Sequence, residues 1–253
     1  GGLGDDIFEI SNSRVSGLLS GGDGDDQFNV NFTVNDKKLS IDGSNGNNRL
    51  TLSGGEVDYV ARHQDNHFQY GSDKGHIFSV YQENISTIVD QVIAHTLSIQ
   101  GTSAVDMFNF DNQSYSINDK SVIHYANKSN LDVRADEDDT IQFSGDVKFA
   151  GDINLHNAKV ISIGNGFING ESLTLSNIKS VGEIDKRLLT SVNTIQFNGS
   201  GGSIYLNEID DLRIDNMTTS LAQMIDITLG GDLSSSGPLF YTGDLIVESK
   251  RGN

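Results

Sequence analysis

The sequence predicts an all-β fold, a right-handed parallel β-helix or β-roll solenoid with rungs of about 20 residues. Three observations lead there. Segments recur at a fixed step, short runs alternate apolar with polar residues, and Gly, Asn, Asp and Ser fill the intervals between those runs.

The recurrence is plainest at the start. Gly1-Gly2-Leu3-Gly4-Asp5-Asp6-Ile7-Phe8 returns twenty positions later as Gly21-Gly22-Asp23-Gly24-Asp25-Asp26-Gln27-Phe28. A third copy runs Gly43-Ser44-Asn45-Gly46-Asn47-Asn48-Arg49-Leu50. The second half has its own echo at the same step: Ile153, Leu155, Asn157, Lys159 and Ile161 match Leu173, Leu175, Asn177, Lys179 and Val181. Thr140-Ile141-Gln142-Phe143 recurs as Thr194-Ile195-Gln196-Phe197, and Gly-Asp precedes an aliphatic residue at Gly145, Gly151, Gly231 and Gly243. Two halves with one period imply one continuous architecture.

The alternation marks strands with one buried face: Ile204-Tyr205-Leu206, Leu212-Arg213-Ile214, Ile225-Asp226-Ile227-Thr228-Leu229 and Leu245-Ile246-Val247. The residues between them tolerate the left-handed backbone that tight turns need. A coil that returns to the same place each rung explains echo and alternation together, and parallel crossovers are right-handed. Segment 1–60 reads as calcium-binding rungs. Segment 61–100 reads as an irregular loop or insertion that can carry a short helix. Segment 101–253 reads as a continuing β-helix with degenerate, mostly metal-free turns. Helical spacing of apolar residues marks Glu83–Ile93 and Thr218–Ile225 as the helix candidates, and the polar stretch Arg62–Lys74 as a loop. Asn157, Asn177, Asn198 and Asn207 are placed to form hydrogen-bonded asparagine ladders.

Composition bounds the function. An apolar fraction of 36 % with a single proline in 253 residues is low for a compact enzyme and suits a long, thin core. The net charge of −18 would favour disorder if the apolar residues were diluted, but they stand in strict alternation. The absence of cysteine excludes disulfides and thiolate metal sites. No apolar run approaches the roughly 18 residues of a membrane span. With 17 basic residues against 35 acidic, nucleic acid is not an expected partner, whereas divalent cations are. The chain opens inside a motif, which reads as a piece of a longer polypeptide whose export signal lies elsewhere.

The opening copies fit the pattern GGxGxDxUx. Calcium takes six to eight oxygens at about 2.3–2.6 Å. Glycines let several carbonyls point inward together, the aspartate supplies charge, and the apolar residue two places on (Phe8, Phe28) starts the next strand. Here the sequence resembles the RTX, or haemolysin-type, calcium-binding repeat family. The resemblance implies metal sites between successive rungs, lined by Gly2, Gly4, Asp6, Gly22, Asp23, Gly24 and Asp26. Asn45 and Asn48 of the third copy extend that row without the charge. Gly101 to Phe108 keeps only the first, sixth and eighth positions, and Asp136 to Ile141 keeps the acid and the aliphatic residue, so both read as metal-free turns.

Catalytic signals are weak beside this. Tyr70-Gly71-Ser72-Asp73-Lys74-Gly75-His76 resembles the Tyr-Gly-x-Asp-x-His motif of alginate epimerases, but the histidine is displaced by one residue, which reverses its face on a strand. His63 and His67 stand four apart with no third ligand evident beyond His76. The expectation is a non-catalytic, calcium-stabilised structural or adhesive segment of a large secreted or bacterial cell-surface protein. The resemblance also implies type I secretion and folding coupled to calcium outside the cell. Surface glycans and further copies of the chain are the other partners considered. The competing expectations are a carbohydrate-binding or lyase- or epimerase-like β-helix and a self-assembling extracellular scaffold.

Overall fold

Alternation becomes stacking when each strand lies parallel on the strand one rung earlier, because like side chains then superpose. In the computed structural model Ile7 pairs with Gln27 and Gln27 with Arg49, steps of 20 and 22 residues. The structure describes residues 1–11, 16–32, 37–56, 58–71, 77–199, 201–219 and 224–250. Those residues are 67 % strand with no helix, and their coils stack in parallel as a β-solenoid, the fold that the alternation predicts. The chain divides into two compact units, residues 1–100 with 114–129 and residues 101–113 with 130–253.

In the first unit one column of strands runs Ile7–Ser11, Gln27–Phe32, Arg49–Gly54, Thr87–Asp90 and Val122–Tyr125. Register stacks Phe8, Phe28, Leu50, Ile88 and Ile123 into one inward row. The Phe8 and Phe28 rings are stacked, 4.8 Å apart and nearly parallel. Each fully buried side chain of this kind contributes about 1.5–3 kcal/mol. The neighbouring row reads Ile10, Val30, Leu52, Asp90, Tyr125, so one carboxylate stands in an otherwise apolar file.

The second column of this unit stacks Gly17–Asp23, Lys38–Asn45 and Ile77–Glu83 in parallel. It then changes direction, since His67–Gly71 pairs antiparallel with Ile77–Glu83 and Val60–Gln64 pairs antiparallel with His67–Gly71. This hairpin occupies most of the stretch expected to be loop over Arg62–Lys74. Its inward residues are Ala61, His63, Phe68 and Tyr70, all buried, and Asp65 turns it with φ +46°. A buried histidine and a polar turn conceal the alternation. Residues 72–74 of that stretch lie outside the described residues.

The second unit stacks Leu131, Ile153, Leu173, Ile195 and Ile214 in one row. Val133, Leu155, Leu175, Phe197 and Met217 form the next, and Phe108, Ile141, Val160, Val181, Ile204, Ile225 and Leu245 line a third. The echo of Thr140–Phe143 in Thr194–Phe197 is not a stacking repeat. The former pairs with Lys159–Ser162, and the latter with Ser172–Leu175.

Two expectations require correction. No helix forms over Glu83–Ile93: Asn84 turns with φ +56°, Thr87–Asp90 is a strand, and Ile85, Ile88 and Val92 reach the core from the link before that strand, the strand itself and the link after it. Over Thr218–Ile225 the described residues are strand, with 220–223 outside the description. The asparagines act mainly through the backbone. Asn157, Asn177 and Gly199 superpose at one turn with φ of +59°, +52° and +75°. The side-chain link is elsewhere, from the Asn216 amide to Asn198 Oδ1 at 2.8 Å, while Asn207 lies in a strand paired with Thr228.

Candidate functional site

The three GGxGxD-like copies superpose as successive turns on one edge of the first unit, with Gly22 opposite Ser44 and Asp23 opposite Asn45. The fourth position is left-handed in each: Gly4, Gly24 and Gly46 have φ of +94°, +133° and +110°. A Cβ on Gly24 would overlap the carbonyl of Gly4, and one on Gly46 the carbonyl of Gly24. Closeness of rungs therefore requires glycine here on two counts.

The sixth residues form a ladder. Gly2 N–H donates to Asp6 Oδ2 at 2.9 Å, Asp6 N–H to Asp26 Oδ1 at 2.9 Å, and Asp26 N–H to Asn48 Oδ1 at 2.9 Å. Asn48 Nδ2 ends the row by donating to the Asn84 carbonyl at 3.1 Å. An outer ladder runs beside it, in which Asp25 N–H donates to Asp5 Oδ1 at 2.8 Å and Asn47 N–H to Asp25 Oδ1 at 2.7 Å. Asn45 Nδ2 donates to Asp23 Oδ1 at 2.7 Å. Gly2 O accepts from Asp23 N–H at 2.9 Å, and Gly4 N–H donates to Asp23 O at 2.6 Å.

Two observations bear on whether calcium fits. Asp26 is 0 % exposed, and its Oδ2 is buried without a hydrogen-bond partner, tucked under Gly21. Asp5, Asp6, Asp23, Asp25 and Asp26 crowd two successive turns, and among the described residues no Lys or Arg pairs with any of them. A buried carboxylate oxygen with neither donor nor counter-charge is costly. Among the described residues no three His, Cys, Asp or Glu side chains converge as metal ligands. The donors at this edge are instead carboxylates mixed with carbonyls, a set that suits calcium.

The degenerate turns of the second unit repeat the ladder. Thr102 N–H donates to Asp106 Oδ2, Asp106 N–H to Asp139 Oδ1 at 2.7 Å, and Asp136 N–H to Asp139 Oδ2 at 2.6 Å. Both Asp139 oxygens thus have backbone donors, whereas Asp26 Oδ2 has none.

A second polar group in the first unit gives little sign of itself in the sequence. Asp90 and the Lys128 side chain are 0 % exposed, with Nζ 3.2 Å from Oδ1. His63, also buried, has Nε2 3.0 Å from Asp90 Oδ2 and 3.2 Å from the Tyr70 hydroxyl, and Nδ1 2.6 Å from the Tyr115 hydroxyl. The only signal is a polar residue at an inward position, Asp90 two places after Ile88. Burial pushes the Asp90 carboxyl up, but Lys128, His63 and the Val92 N–H together hold it below the usual carboxylate range. Burial raises both tyrosine hydroxyls, with the Asp90 charge adding to it. His63 is therefore no zinc ligand candidate with His67, whose ring instead stacks on Tyr81 at 4.0 Å. The epimerase-like motif contributes Tyr70, which is buried, and Ser72 to His76 lie outside the described residues.

Burial lowers the pKa of His63, outweighing Asp90, which raises it. The unfolded chain, with a histidine pKa of about 6.5, then binds protons that the folded one refuses. The His63 contribution to stability is full above that value and is lost as pH drops below it, by up to about 1.4 kcal/mol per pH unit. His67, lowered by burial and by Lys38, adds in the same direction. Denaturant midpoints between about pH 7.5 and about pH 5 are expected to fall less steeply for His63→Gln than for the wild type.

Beside the third turn lies a polar groove of about 520 Å³ lined by Asp65, Glu83, Asn84, Ser86 and Lys120 among others. Lys120 and Asp65 pair there at 2.8 Å. Comparison with known protein families, curated proteins and solved structures finds no match for this chain.

Proposed function

We propose that the chain is a non-catalytic, calcium-stabilised structural or adhesive segment of a large secreted or cell-surface protein of RTX type. The observation that carries this is the buried, donorless Oδ2 of Asp26 within a stack of glycine turns crowded with carboxylates that, among the described residues, no Lys or Arg neutralises. Calcium would be held by Asp6, Asp23 and Asp26 with carbonyls of Gly2, Gly4, Gly22 and Gly24. It supplies positive charge that lets successive turns close, so binding contributes folding free energy. Asn45 and Asn48 close the row, because their amides donate the hydrogen bonds that a carboxylate cannot. The Asp106 and Asp139 turns, already satisfied by backbone donors, remain metal-free.

Calcium titration followed by circular dichroism and sedimentation tests this reading. The expected result is a gain of β-structure and compactness between chelator and millimolar calcium. Asp26→Asn is expected to abolish most of that gain while raising stability in chelator by about 1 kcal/mol, as repulsion is relieved. Identical spectra and sedimentation with and without calcium would sink it.

The groove beside Asn84 favours a second reading, recognition of a hydroxyl-rich glycan by Asp65, Glu83, Asn84 and Lys120. Oligosaccharide-dependent shifts of Asn84 and Lys120 resonances are its expected signature. Unchanged spectra in ligand excess remove it.

A further inference from the structure

Lys128 reaches Asp90 in the buried interior of the first unit, where both side chains are fully covered, and three acceptors surround its ammonium group. Nζ is 2.6 Å from the Val92 carbonyl, 2.9 Å from the Ala126 carbonyl and 3.2 Å from Asp90 Oδ1. Asp90 Oδ1 also accepts the Val92 N–H at 2.9 Å. Oδ2 is buried with no aligned donor, 3.0 Å from His63 Nε2. An amine, a carboxyl and a proton-carrying imidazole therefore share one site, walled by Phe68, Tyr70 and Tyr115.

We propose that Asp90 and Lys128 condense into an intramolecular isopeptide bond, with His63 carrying the proton.

A buried ion pair suffers a desolvation penalty that its own attraction repays only in part. Proton transfer from Nζ to the carboxyl removes both charges. The two hydrogens left on Nζ remain on the Val92 and Ala126 carbonyls, so the lone pair faces Asp90. Held at contact distance, the two groups react as if at very high concentration. The N–C bond forms as Nζ adds to Cγ, and the Cγ–Oδ2 bond breaks. Of the three ammonium hydrogens one stays on the amide nitrogen and two leave with Oδ2 as water. His63 gives its Nε2 proton to the departing oxygen and regains one from nitrogen, beginning and ending neutral. Burial, which lowers the Lys128 pKa despite the opposing charge of Asp90, favours the first transfer. The lowered pKa of Asp90 opposes it, so the neutral pair is a minor species from which the bond forms. The product ties the strand Thr87–Asp90 to the start of Lys128–Arg134.

The intact mass of the folded, calcium-loaded chain decides the matter. The expected mass is one water below that of the sequence, with a branched fragment joining the peptides of Asp90 and Lys128. Lys128→Arg is expected to keep the full sequence mass. In freshly synthesised His63→Gln the bond is expected to form about a hundredfold more slowly than in the wild type. A wild type that folds and holds its full mass overturns the proposal, as does water loss that maps elsewhere or survives in Lys128→Arg. An undiminished rate in His63→Gln overturns the role given to His63.

Discussion

Replacing Lys128 by Met is expected to destabilise the first unit by about 3–5 kcal/mol. The substitution removes a cation that is 0 % exposed and leaves Asp90 charged in a file of Ile10, Val30, Leu52 and Tyr125. It also strips the Val92 and Ala126 carbonyls of their donor. Where Asp90 and Lys128 are covalently joined, the figure is a floor, since the variant also loses loop closure. The double replacement Asp90→Leu with Lys128→Met is expected to recover about half of the loss, because an apolar pair carries no buried charge. Its residual cost comes from the Val92 N–H, which loses its acceptor. Denaturant midpoints at pH 7.5 provide the check. A single variant within about 0.5 kcal/mol of the wild type would mean that the cluster is hydrated or open.

The second large effect lies in the other unit. Phe197→Ala is expected to cost about 3–5 kcal/mol, and to cost the same in chelator and in calcium. Phe197 is fully buried between Leu175 and Met217 of adjoining rungs, so truncation opens a cavity that neither neighbour can fill without leaving its register. Nothing in that row depends on charge. Thermal unfolding of the variant with and without calcium measures it, and a cost that changes with calcium would place metal chemistry where the apolar rows are argued to suffice.

The parts of the fold legible in the sequence are those where one side chain type serves one purpose. Ile153 and Leu155 stack on Leu173 and Leu175 as their spacing implies, because inward aliphatic residues have no other use on a thin coil. The glycine turns were equally legible, since only glycine tolerates both the left-handed backbone and the overlap at Gly24 and Gly46. Reading failed where polar residues turn inward. Asp90 and His63 occupy core positions, so the strands that carry them read as helix and loop. The partners that make such burial tolerable are distant in sequence: His63 meets Tyr115, and Asp90 meets Lys128. No local pattern announces a pairing of that kind. The difference between the Asp26 and Asp139 turns was likewise hidden. Both keep the acid, and only the backbone geometry decides which carboxylate oxygen has a donor.

In the proposed reading, calcium acts through the opening turns while aliphatic rows hold the rest. Residue-resolved hydrogen exchange on the wild-type chain tests it most directly. The amides of Asp6, Asp26, Gln27 and Arg49 bond across successive glycine turns, whereas those of Lys159 and Lys179 bond across rungs of the second unit. Calcium is expected to slow exchange at the first four by at least about tenfold and to leave the last two unchanged. Equal protection with and without calcium at Asp26 and Gln27, or a gain spread evenly over both sets, would contradict it.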